Sequence, residues 1–174
     1  MLETIALVCV LLGFGFLVLL SYIDLKSRIL PNELVLAFAV SGFIFHLTTL
    51  FQFNNFIMII AGAITGGGIL FVIRAVGNHF YKEDTLGLGD VKLMAAAGLW
   101  LGPEFILIAL TAGALAGFFH GAAVAVKLMI NMKIKLDIHR LSVPAGPGFA
   151  IGILFAAFLK YSGLPAYILN GLPL

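Results

Sequence analysis

The chain alternates long apolar runs with short polar breaks. Runs near the roughly 20 residues a membrane helix requires fall at 5–23, 33–51, 56–77, 104–127 and 144–160, and a shorter run fills 91–102. The first run has no basic start and ends in Tyr22-Ile23-Asp24, not in small cleavage-site residues, so it reads as a retained span and not a signal peptide. Each run predicts a helix, and no long internal repeat relates them.

Composition sharpens this picture. The 174 residues are 62% hydrophobic and 10% charged, with mean hydropathy +1.16, against about 25% charged residues in soluble domains. Too little polar surface remains to cover a soluble core. The expected fold is an all-α membrane protein, a polytopic bundle of six transmembrane helices with the fourth short, with no room for a second soluble domain. Cys9, the single cysteine, lies within the first run, which excludes an internal disulfide and a multi-cysteine zinc site. It reads as a small buried apolar side chain.

Basic residues orient the spans. If the short run crosses, Lys26, Arg28, Arg74, Lys82, Lys92, Lys127, Lys133, Lys135 and Arg140 share one side, and only Lys160 lies on the other. Nine against one places the larger set in the cytoplasm, with both termini outside. Five crossings would split the basic clusters between the two sides.

The same orientation brings two aspartates to the cytoplasmic side. Asp24 closes the first run, and Asp90 stands in Gly87-Leu88-Gly89-Asp90 before the short one. Ionisable groups at membrane depth are costly and mark functional sites. The 13 residues from Asp90 to Gly102 make roughly 20 Å of helix, less than a hydrocarbon core of about 30 Å. Asp90 is therefore expected slightly inside the boundary, where Gly87 and Gly89 let backbone approach closely. Lys26 and Lys92 each follow an aspartate by two residues. They read either as part of the site or as cytoplasmic charge. Glu83 and Asp84 read as a solvated turn, and Glu33 as first-turn helix charge.

Other features read more plainly. Gly62 and Gly66, Gly113, Gly117 and Gly121, and Gly148 and Gly152 recur at four-residue spacing and permit close helix contact. His46 and His120 lie within spans and read as hydrogen-bonding to neighbouring helices. The strict alternation from Met132 to His139 suggests an interfacial strand, or an edge that pairs with an extended substrate.

Two carboxylates held close share a proton. The charged one can deprotonate water while the neutral one protonates a carbonyl oxygen, which is peptide hydrolysis without a covalent intermediate. Intramembrane acids also serve proton- or ion-coupled transport, and Asp24 and Asp90 could serve there. Transporters, however, usually hold such acids near mid-depth between inverted repeats.

The stretch from Gly87 through Leu93 and on to Pro103 closely resembles the Gly-x-Gly-Asp block of type IV prepilin peptidases. Asp24-Leu25-Lys26-Ser27-Arg28-Ile29-Leu30-Pro31-Asn32 resembles the family's first aspartate block, and Val143 to Gly152 its last-helix motif. The resemblance implies one transmembrane aspartyl endopeptidase domain over 1–174, in the cytoplasmic (inner) membrane, with Asp24 and Asp90 as the catalytic pair. Gly87, Gly89, Lys26 and Lys92 would support them. It implies substrates that are pilin-like precursors, cut after a glycine to remove a short basic leader, with membrane lipid as the other partner. No cofactor, metal or nucleic acid is implied. Long members of the family carry an N-terminal region with paired cysteines and also N-methylate. This chain resembles the short, tight-adherence (Flp-type) members, so cleavage without methylation is expected. Ala145 stands where a bulkier aromatic is common.

Overall fold

The computed structural model describes residues 2–132 and 145–162. These residues form five helices: α1 (Leu2–Ser27), α2 (Asn32–Thr48), α3 (Phe56–Tyr81), α4 (Leu88–Met132) and α5 (Gly146–Tyr161). No strand occurs among the described residues. The alternating segment lies outside them apart from Met132, which ends α4. By length and composition, Leu2–Ser27, Phe56–Tyr81 and Leu88–Val124 can cross a membrane, while Asn32–Thr48 and Gly146–Tyr161 are apolar and shorter.

Local chemistry sets the helix ends. Arg28 follows α1 with φ 56°, and its N–H donates to the Asp24 carbonyl at 2.8 Å. Pro31 then holds an extended backbone immediately before α2. Asn55 caps α3 by accepting from Met58 N at 2.8 Å. Lys82 ends α3 in the left-handed region. Glu33 falls in the first turn of α2, as expected.

α4 is not straight. Gly102 within it has φ 73° and ψ 176°, and Pro103 follows. A Cβ on Gly66 of α3 would crowd both Met94 O and Ile106 Cγ1. Twelve residues along a straight helix span roughly 18 Å, yet these two meet at one point. The chain therefore doubles back at Gly102. The short apolar run and the one after it are two arms of α4, joined where the Gly-Pro pair breaks the hydrogen-bond ladder.

Lipid tails are as apolar as leucine, so close packing and hydrogen bonds hold the bundle. Gly62 of α3 and Gly98 of α4 meet backbone to backbone, and a Cβ on either would run into the other's carbonyl. Gly148 and Gly152 of α5 press on Gly117, Gly113 and Ala109 of α4 in the same way. The small-residue spacings thus mark real interfaces. Cys9 is buried, as expected. Trp100 lies against Gly13 of α1 and Gly42 of α2, where a Cβ would strike its ring, and its Nε1 donates to Phe38 O at 2.9 Å. Phe38 and Phe45 stack on the indole.

Candidate functional site

Asp24 sits in the last turn of α1 and Asp90 in the first turn of α4. Both are buried, at 6% and 8% exposure, despite lying at helix ends. The link after Asp24 packs directly on the turn before Asp90: a Cβ on Gly89 would fall 2.9 Å from Leu30 Cβ. The two carboxylates lie within electrostatic reach of one another. The structure thus brings together the two aspartates that stood out in the sequence.

Each carboxylate has its own surroundings. Asp24 Oδ2 accepts from the backbone N–H of Gly146 at 2.9 Å, at the start of α5. A Cβ on Gly146 would lie 2.6 Å from that oxygen, so any side chain there would push the carboxylate aside. The first amides of a helix have no intrahelical acceptor and favour an anion. Asp90 is different. A Cβ on Gly87 would lie 3.0 Å from its Oδ2, and its buried Oδ1 has no hydrogen-bond partner among the described residues. Gly87 therefore gives the Asp90 carboxylate room, while Gly89 gives room to Leu30.

The lysines divide from the aspartates. Lys26 is exposed on the last turn of α1. Lys92 is also exposed, and its Nζ donates to Asn32 Oδ1 at 2.9 Å. That bond ties α4 to the start of α2 and touches neither carboxylate. Among the described residues, the cation whose charge acts on Asp24 is Arg28.

Several contributors were not visible in the sequence. Gly146 belongs to a motif noted there, but nothing local pairs it with Asp24. Asp84 is no free turn residue: Arg74 Nη2 donates to its Oδ1 at 2.6 Å and Asn78 Nδ2 to the same oxygen at 3.0 Å. Arg74 Nη1 also donates to Leu86 O. Asn78 Oδ1 accepts from Thr85 N at 2.9 Å. The end of α3 thus fastens the loop that leads into Gly87 and Asp90. Of the two histidines within apolar helices, His46 bonds a neighbouring helix through the Leu99 and Trp100 carbonyls. His120 is exposed and bonds to no neighbouring helix among the described residues.

Described residues that form only helices, some of membrane length, with a buried pair of carboxylates at one end of the bundle, define a class, the membrane proteins that carry an acid pair. Comparison with known proteins narrows it. Residues 11–122 match the model of the type IV leader peptidase family. The chain is 34% identical over 154 residues to the prepilin leader peptidase/N-methyltransferase of Pectobacterium carotovorum subsp. carotovorum, covering 86% of this chain and 50% of that one. It is 30% identical over 170 residues to the protein of the same name in Dickeya chrysanthemi, covering 95% and 52%. The Escherichia coli K12 protein of that name is 30% identical over 155 residues, covering 86% and 64%. The chain spans about half the length of the first two of these curated relatives. No solved structure matches it. The chain belongs to the type IV leader peptidase family.

Proposed function

We propose that this chain is a membrane aspartyl endopeptidase that removes the short basic leader of pilin-like precursors, with Asp24 and Asp90 as its catalytic pair. The observation that carries the reading is that these two buried carboxylates lie at adjoining helix ends, within electrostatic reach and in unlike surroundings. Asp24 faces a donor at a helix N-terminus, which suits an anion, so it acts as general base on the attacking water. Oδ1 of Asp90, without a partner among the described residues, suits a proton, which Asp90 gives to the substrate carbonyl oxygen as the tetrahedral intermediate forms. That intermediate collapses with proton transfer to the leaving amine, and both acids return to their starting states. Gly87 and Gly89 support the pair through close approach; Lys92 supports it indirectly, by holding Asn32, and Lys26 supplies surface charge.

The domain covers 1–174 and crosses the inner membrane six times, each arm of α4 making one crossing. The reversal at Gly102 and the nine-to-one division of basic residues support that count. The site then faces the cytoplasm and both termini face outward. A basic leader is drawn to that anionic lipid face, and no nucleic acid takes part. Transport finds no such support, because both acids lie at one end of the bundle. We assign cleavage and not N-methylation to these residues, since the family model they match is a leader-peptidase model. Co-expression with candidate prepilins, read by mass spectrometry, tests this: the expected product is the leaderless, unmethylated protein. Intact precursor across every candidate would defeat the assignment.

A further inference from the structure

The break at Gly102 has an energetic consequence. The last four carbonyls of a helix find no partner within it. In hydrocarbon an unmet polar group costs several kcal/mol. The arm of α4 that begins at Asp90 ends at this break, and it exposes the carbonyls of Leu99, Trp100 and Leu101. Side chains from three other parts of the chain meet them. His46 Nε2 of α2 lies 3.1 Å from Leu99 O and 3.2 Å from Trp100 O. Asn54, in the link before α3, donates to Trp100 O at 3.1 Å. From α5, the Tyr161 hydroxyl donates to the same oxygen. Lys160 Nζ donates to Leu101 O at 2.7 Å and to Asn54 Oδ1 at 2.6 Å. A cation at this position also complements the negative end of the helix dipole.

α5 therefore holds both halves of the site. Its first residue, Gly146, bonds the Asp24 carboxylate. Its last two, Lys160 and Tyr161, grip the far end of the arm that carries Asp90. The twelve residues from Asp90 to Leu101, eleven steps along the helix, make a rigid rod of roughly 16 Å. A slide of that rod along its axis breaks the grip and moves Asp90 past Asp24. Misplacement by about 1 Å can cost about a hundredfold in rate.

We propose that Lys160, with Asn54 and Tyr161, forms a positioning clamp that sets the depth of Asp90 against Asp24, an inference that rests on the peptidase reading above. None of the three touches the carboxylates in the described contacts. They act through the helix between.

The test has two arms in the full-length chain. In the first, Lys160→Met lowers kcat for prepilin cleavage tenfold or more with KM within about twofold, and Lys160→Arg restores most of it. In the second, Asp24→Cys and Asp90→Cys are combined with Cys9→Ala and treated with bis-methanethiosulfonate cross-linkers of graded length. Adding Lys160→Met shifts or broadens the preferred spacer. An unchanged spacer preference overturns the clamp, whatever the cleavage result. If Lys160→Met does not accumulate in the membrane, Tyr161→Phe carries both arms, since it removes only the hydroxyl's bond to Trp100 O. A chain that never cleaves any prepilin counts against the peptidase reading, and the cross-linking arm still decides the clamp.

Discussion

The backbone N–H of Gly146 donates to Oδ2 of Asp24 at 2.9 Å, across 122 positions of chain. One helix start thus holds the carboxylate at the end of another.

That contact leaves no room for a side chain. Gly146→Ala places a methyl 2.6 Å from the Asp24 oxygen, so the carboxylate must turn away. Cleavage is expected to fall at least tenfold while the protein still inserts. Steady-state rates on a purified prepilin, beside membrane abundance, check it.

Replacing either acid removes its proton chemistry at nearly constant shape. Asp24→Asn and Asp90→Asn are each expected to lower cleavage by about a hundredfold or more, the usual scale of a lost acid or base. Asp24→Asn keeps an oxygen that can accept from Gly146, so its loss of rate is expected without loss of thermal stability in detergent. Full activity in either variant would remove that residue from the mechanism.

The loop before Asp90 depends on Arg74. Arg74→Met takes away the bonds to Asp84 Oδ1 and Leu86 O together. Faster hydrogen exchange over 82–88 and a severalfold loss of cleavage are expected. Asp84→Asn removes only the charge of the exposed partner and is expected to do much less.

Glycines divide by what surrounds them. Gly62→Ala drives a methyl into the Gly98 carbonyl and separates α3 from α4. It is expected to destabilise by about 1–3 kcal/mol, the usual scale of overpacking. Gly68→Ala meets nothing within 4 Å and is expected to be neutral or to stabilise by up to about 1 kcal/mol through helix propensity. Thermal unfolding in one detergent compares the two directly.

Much of this arrangement is legible in the chain. The apolar runs anticipate the helices, Gly102-Pro103 anticipates the break in α4, and Asp24 and Asp90 stand out because charge is rare among such runs. Four-residue glycine spacing anticipates the α3–α4 and α4–α5 interfaces. What is not legible is which residues meet over long separations. Nothing local links Gly146 to Asp24, or Lys160 to the Leu101 carbonyl. The matched lysines read either as part of the site or as cytoplasmic charge; Lys92 bonds Asn32 and Lys26 lies exposed. Their likeness was one of spacing, and a helix's rotation about its axis decides where a side chain points. Asp84 is exposed, as a solvated turn residue would be, but its partner Arg74 lies two turns back on a different element.

Trp100 is the chain's single tryptophan. It is wedged where α1, α2 and α4 converge, with its ring against two glycines and its Nε1 on Phe38 O. Indole emission depends on the polarity and hydrogen bonding around the ring, and here that surrounding exists only when three helices have closed. The protein therefore carries its own optical gauge of assembly, one that needs no label and sits two residues from the break in α4.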